Sequence, residues 1–145
     1  LLNGVSYVMK EATKVIVGAY AMLANGSLVS RVGTSIVAMT AHSYNVPVIV
    51  CCESIKFSHQ TLLDSITWNE LGDADAVAAD DDSGPPNVLK SWKETPNLTI
   101  VSLMYDVAPR DYITMVITEF GMIPPTSVPV ILREENALNK KKDDE

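Results

Sequence analysis

Ser30 and Arg31 occupy the most chemically suggestive place in this 145-residue chain. Before them runs Lys14-Val15-Ile16-Val17-Gly18, a β-branched stretch closed by glycine, which reads as a buried strand. After them Val32, Ile36 and Met39 recur at helical spacing through Ala41, with Ser30 as a candidate N-cap. Ligands of parallel sheets collect beyond strand C-termini, where loops meet helix N-termini. Arg31 there could hold a phosphate, helped by backbone N–H groups and the helix dipole; the plainer reading is a surface arginine.

Other chemistry is harder to assemble. The seven glycines form no G-x-G, so the dinucleotide fingerprint and the P-loop are both absent. His42 and His59 have no ligand triad at a zinc spacing, and they read as structural. The aspartates at 73, 75, 80, 81 and 82 superficially resemble a calcium loop. They lack the order of acids, central glycine and terminal glutamate that such a loop needs, so they read as a solvated acidic segment. Cys51 and Cys52 are neighbours near the end of an apolar run. In a strand they point to opposite faces and are poorly placed to bridge each other. They read as small packing residues in a reducing compartment. Asp106 follows an apolar run and reads as a cap or loop hydrogen-bond acceptor. No Ser–His–Asp or Cys–His set emerges.

The elements that must position these residues follow from periodicity. Leu2 to Met9 is apolar at helical spacing, and Asn25-Gly26 marks a turn. Val46-Pro47-Val48-Ile49-Val50-Cys51 reads as a second buried strand. Residues 61–71 read as helical, 98–103 as a third strand, 110–120 as a second strong helix with Ile113, Val116, Ile117 and Phe120 inward, and 128–132 as a last strand. Apolar strands separated by helices imply crossovers and a parallel sheet. The expected fold is α/β, a Rossmann-like three-layer domain with a mostly parallel sheet. About four strands are visible where doubly wound sheets have five or six, which suggests that further strands precede Leu1.

Composition sets the outer bounds. A 15.7 kDa chain that is 47% hydrophobic has room for one domain with a core. Its apolar runs are too short to span a membrane, and no basic leader precedes one. The net charge of −7 is uneven: residues 70–96 hold seven acids against two bases, whereas 1–69 are nearly neutral. No basic stripe awaits a phosphate backbone, which argues against direct nucleic-acid binding. Lys140-Lys141-Lys142 is answered at once by Asp143-Asp144-Glu145 and reads as a solvated tail. The expected organisation is a domain over 1–133, an acidic insert at about 72–96, and a polar, disordered tail over 134–145.

Several longer strings carry a resemblance. They are Val17-Gly18-Ala19, Leu23-Ala24-Asn25-Gly26-Ser27, Ser30-Arg31-Val32-Gly33-Thr34, Val46-Pro47-Val48-Ile49-Val50-Cys51-Cys52-Glu53 with Lys56-Phe57, Asn69-Glu70-Leu71-Gly72-Asp73, Tyr105-Asp106-Val107-Ala108-Pro109, and the run from Val116 through Pro124-Pro125-Thr126-Ser127 to Val130. Together they resemble the C-terminal domain of the alpha/beta/delta family of translation initiation factor 2B, its delta branch best. The resemblance covers nearly all of the chain except the acidic insert and the tail.

That family also contains isomerases of methylthioribose 1-phosphate and ribose 1,5-bisphosphate. Their motif reads Gly-Ala-Asp, with the aspartate moving protons between sugar carbons; here it reads Gly18-Ala19-Tyr20. A phenol, which ionises only near pH ~10, is a poor substitute for a carboxylate base. An Asn-Lys pair near their substrate is Ser30-Arg31 here, and neither Cys51 nor Cys52 matches their catalytic cysteine. The resemblance therefore implies no catalytic residue, no cofactor and no metal, with Ser30 and Arg31 as a vestigial phosphate site. It implies a regulatory subunit of the guanine-nucleotide exchange factor for initiation factor 2, cytoplasmic and away from membranes. The implied partners are paralogous alpha and beta subunits, the gamma and epsilon subunits, and the alpha subunit of initiation factor 2. Phe57, Val101 and Leu103 are the expected subunit interface, with Val101, Leu103 and Tyr105 on one strand face; the other reading makes them ordinary core. An active isomerase is the rival function, and a non-catalytic metabolite pocket a third.

Overall fold

A computed structural model describes residues 2–79 and 87–134. After a 3-10 turn at Leu2–Gly4 and a short helix α1 (Val5–Met9), strand β1 (Val15–Gly18) opens a four-stranded sheet. It pairs in parallel with β4 (Val48–Cys51), which pairs in parallel with β7 (Met115–Thr118); β8 (Gly121–Ile123) closes the edge antiparallel to β7. The second sheet has the order β5-β2-β3-β6 and is mixed. In it β2 (Ala21–Leu23) and β3 (Leu28–Arg31) form a hairpin, β5 (Phe57–Ser58) lies parallel to β2, and β6 (Tyr105–Ala108) lies antiparallel to β3. Helix α2 (Thr34–Ser43) packs on β6 and on the first sheet, and α1 packs on α2. The result is α/β, as the apolar strands require. The expected single sheet is two, and only the first is mostly parallel.

The first two apolar strands form because they are β-branched and closed by residues that stop them. Val48, Val50 and Val116 are fully buried on one face of the first sheet, whereas Ile16, Cys51 and Ile117 on its other face are exposed among the described residues. The hairpin turns at Asn25-Gly26: Gly26 has φ 82°, and the Asn25 side chain accepts from Ser27 N–H at 3.1 Å. A Cβ on Gly26 would lie 2.8 Å from the Pro125 carbonyl oxygen, so the turn is also a close backbone approach. Helix α2 ends as expected, with Asn45 in the left-handed region at φ 55° and Val46 N–H donating to the Ala41 carbonyl.

Four expected elements are different. Residues 110–120 are not a helix: a 3-10 turn at Arg110–Tyr112 leads into β7, and Ile117 and Phe120 face solvent. The run Ile113-Thr114-Met115-Val116-Ile117-Thr118 is dominated by β-branched residues, which favour a pleated surface over a helix. Residues 128–132 are not a strand but part of a helical stretch, 128–134, in which Val128 and Leu132 are buried one turn apart. Pro129 is tolerated there because the first turn of a helix leaves its N–H groups unpaired anyway. Residues 98–103 form no strand; their only bridge joins Leu103 to Leu71. Residues 61–71 form no helix, because the Asp64 side chain accepts from the N–H groups of Ile66 (2.7 Å) and Thr67 (2.8 Å) and folds the chain into a local turn. Those hydrogen bonds hold the Asp64 carboxyl below the usual range. Within 72–96 the structure has a one-turn helix α3 (Ala74–Ala78) and a 3-10 turn at Trp92–Glu94, joined by Asp75, which accepts from Lys93 Nζ and Trp92 Nε1. The Asp80-Asp81-Asp82 run and the Lys140–Lys142 cluster lie outside the described residues.

Ser30 is not the cap of α2. It lies in β3, and the helix starts after Gly33, whose φ of 101° favours glycine. The cap comes from 73 residues away: Asp106 Oδ2 on β6 accepts from Gly33 N–H at 2.7 Å and Ser35 N–H at 3.0 Å. The open edge of β6 is managed in a similar way. The Asn69 amide accepts from Tyr105 N–H at 3.1 Å and donates to the Tyr105 carbonyl at 2.7 Å, as a neighbouring strand would. Ser65 Oγ accepts from Val107 N–H at 3.0 Å. Side chains thus stand where another strand's backbone would pair.

Two outcomes follow for stability. Burial pushes the Asp106 carboxyl up, and the two capping N–H groups pull it back only in part. A raised folded pKa means the native state holds the proton more tightly, so this residue makes stability fall as pH rises above about 4. Asp106→Asn keeps a capping oxygen and is expected to remove that falling limb in urea titrations across pH. Asp106→Ala strands two N–H groups and is expected to lose about 2 kcal/mol. Asn69→Ala unpairs both Tyr105 backbone groups, with an expected loss of about 1–2 kcal/mol and faster amide exchange at Tyr105. An unchanged exchange rate there would show that Asn69 does not hold the edge.

Candidate functional site

The residues singled out by sequence converge on one corner of the second sheet. Antiparallel register puts Arg31 opposite Tyr105 and Ser30 opposite Asp106. The Arg31 guanidinium lies 5.3 Å over the Tyr105 ring, and that ring meets Tyr20 with centroids 4.4 Å apart at a 40° tilt. Arg31, Tyr105 and Tyr20 therefore form a continuous cation–aromatic stack. Tyr20 stands just after β1 and just before β2, with its N–H donating to the Val29 carbonyl at 2.9 Å, so its backbone links the two sheets. Ser30 Oγ donates to the Gly18 carbonyl at 3.0 Å, which ties the end of β1 to β3.

This arrangement bears directly on the expected phosphate site. A helix N-terminus attracts an anion because its first N–H groups are free. At α2 those of Gly33 and Ser35 are already taken, and the occupant is the Asp106 carboxylate. Arg31 has the geometry for an anion, but the helix end that would assist it already faces a negative charge. A carboxylate that could serve as a base is equally missing from position 20. Among the described residues no group of three His, Cys, Asp or Glu side chains is placed to hold a metal ion.

The remaining candidates separate. Phe57, the first residue of β5, is buried in the core. Val101 is exposed and Leu103 half-buried, on the irregular segment bridged to Leu71. Cys52 packs in the core, where burial pushes its thiol up to about 11, far from a reactive thiolate; Cys51 is exposed. His42 stacks on Tyr112 with centroids 5.3 Å apart.

Sequence reasoning missed a pocket of about 380 Å³ beside the stack. Its aromatic walls are Tyr20, Tyr105 and Trp68, and Gln60, Asn69 and Glu70 supply polar groups. Trp68, Leu63, Ile66 and Leu71, all on the 61–71 loop, are strongly exposed. The sequence signal for this patch is the apolar content of that loop, whose spacing predicts a helix over 61–71 rather than an exposed loop.

The likenesses to known proteins agree with this geometry. A family model described as the initiation factor 2 subunit family matches residues 1–125. The chain is 52% identical to the translation initiation factor eIF2B subunit delta of Dictyostelium discoideum over 92% of its length, and 46% identical to that of Schizosaccharomyces pombe over 92%. It spans only 22% and 29% of those two proteins. It is also 35% identical, over 88% of its length, to the ribose 1,5-bisphosphate isomerase of Pyrococcus furiosus, of which it covers 37%. Among solved structures, the eIF-2B delta subunit from A. fulgidus superposes with a TM-score of 0.69 at 24% identity over 91% of this chain and 37% of that one. The tetrameric eIF2B-beta2-delta2 complex from C. thermophilum contains a chain that superposes at 0.60, with 22% identity over 91% of this chain and 34% of that one. The family model spans most of the chain, and the motifs it covers build the corner where Tyr20, Arg31 and Tyr105 meet: the chain belongs to the initiation factor 2 subunit family.

Proposed function

We propose that this chain works as part of a delta-like subunit of the exchange factor for initiation factor 2, by assembling with other subunits rather than by catalysis. The observation that carries the reading is the Arg31–Tyr105–Tyr20 stack, in which an aromatic ring takes the place where an isomerase keeps its acid. The occupied N-terminus of α2 supports it, since a sugar phosphate would meet the Asp106 carboxylate there. The high identity to two delta subunits supports the same branch. The proposed partners are the paralogous alpha and beta subunits, the gamma and epsilon subunits, and the alpha subunit of initiation factor 2, in the cytoplasm and without direct contact to nucleic acid or membrane. The proposed domain spans 1–133, with 72–96 as an insert and 134–145 as a tail.

The proposed subunit surface includes Val101 and Leu103; Phe57 is buried in the core and is not part of it. An exposed Val101 beside a half-buried Leu103 on an irregular segment suits an interface. The rival is isomerisation of a sugar phosphate, which the 35% identity to a ribose 1,5-bisphosphate isomerase keeps in view.

Leu103→Asp is expected to abolish co-purification with a beta-type subunit while leaving the circular dichroism of the chain unchanged. Unfolding of the variant would move Leu103 from surface to core. The intact protein, offered methylthioribose 1-phosphate and ribose 1,5-bisphosphate, is expected to turn over neither; measurable turnover of either would end the non-catalytic reading.

A further inference from the structure

The pocket beside the stack has a composition that selects its ligand. Three aromatic residues, Tyr20, Tyr105 and Trp68, line it together with one charged residue, Glu70. The Asn69 amide is already committed: it accepts from Tyr105 N–H and donates to the carbonyls of Tyr105 and Ser65. Glu70 makes no ion pair among the described residues. An anion would meet ring faces and a carboxylate, both repulsive. A cation would meet attraction from both.

We infer that this pocket receives an arginine side chain from a protein partner, its guanidinium lying against the rings of Tyr20 and Trp68 and pairing with Glu70. Guanidinium is favoured over ammonium because it is planar, weakly hydrated, and able to stack on a ring while bonding a carboxylate. The Tyr105 ring already holds one guanidinium, that of Arg31 at 5.3 Å, so the same ring system accepts this group from within the chain. The source is a protein because the 61–71 loop also presents exposed Leu63, Ile66 and Leu71. A free small cation has no use for that apolar area, whereas an interface buries it around a charged anchor. The net charge of −7 favours a basic partner segment. The assignment rests on the subunit reading above only for the source of the arginine; the chemistry of the pocket stands by itself.

The test uses the full chain with N-acetyl-arginine methylamide as probe, following the Trp68 indole N–H signal by NMR. That signal is assigned with Trp68→Phe, and Trp92 serves as the internal control. The arginine probe is expected to shift Trp68 saturably in the millimolar range. The lysine analogue should bind more weakly, and the neutral citrulline analogue should give no shift. Glu70→Gln, a change at an exposed position, is expected to weaken the arginine response about threefold. It should also weaken capture of the partner subunit by a similar factor. Equal shifts from arginine and citrulline, tighter binding of adenosine than of arginine, or an unchanged response in Glu70→Gln would each overturn the assignment. No probe binding, with assembly intact and still sensitive to Leu103→Asp, would sink the arginine pocket and leave the subunit reading standing.

Discussion

One buried carboxylate ties the molecule together. Asp106 sits on β6 of the second sheet and holds two N–H groups in the first turn of α2, the helix that packs on the first sheet. Its other oxygen, Oδ1, has no hydrogen-bond partner. Burying a charge is costly, and the cost is offset only by charge-assisted bonds of good geometry and by the helix dipole. Those bonds need Gly33 with a positive φ. They also fix the strand register that sets Ser30 beside Asp106 and Arg31 beside Tyr105. The aromatic stack is thus a consequence of the cap: a slip of one residue would turn Arg31 to the other face of the sheet.

The same interaction decides what the corner can do. A helix N-terminus is a general anion receptor, and here the protein fills it with its own anion. The crevice next to it is lined by the rings of Tyr20, Tyr105 and Trp68. What the corner does have is exposed aromatic and aliphatic area around a single carboxylate, a description of a recognition surface. Catalysis asks for polar groups converging on a reacting atom. Here the nearby polar groups of Asn69, Ser65 and Ser30 all turn inward to backbone atoms.

Legibility in the sequence followed the range of the interactions involved. The strands near Val15 and Val48, the turn at Asn25-Gly26 and the end of α2 at Asn45 are settled by residues within a few positions, and they were readable. In the segment 110–120 Ile113, Val116, Ile117 and Phe120 fall at helical spacing, yet Ile113, Thr114, Val116, Ile117 and Thr118 are β-branched, and pairing with the parallel partner β4 makes the segment a strand. Residues 128–132 misled in the opposite sense, a β-branched run that the preceding Pro124-Pro125 turn starts as a helix. At the site, Tyr20 and Arg31 were visible by motif. Asp106 reads from the sequence as a cap or loop acceptor and Asn69 as part of a helix, and neither reading names its partner. Their partners lie 73 and 36 residues away, a distance no local pattern encodes.

The edge of β6 shows why the surface reading has physical weight. A strand edge can be covered by another strand, whose alternate side chains then point away from the partner at fixed intervals. Here it is covered by single side chains from an irregular loop, Asn69 and Ser65. The loop is fastened at those two points and by Asp64 to its own backbone, so its intervening residues are directed outward. Leu63, Ile66, Trp68 and Leu71 are therefore exposed as a result of how the edge is closed. Keeping four large apolar residues in water costs on the order of 1.5–3 kcal/mol each relative to burial. In a subunit the same cost becomes the driving force for association, and the fastening points keep the patch preformed, so little ordering entropy is lost when a partner arrives.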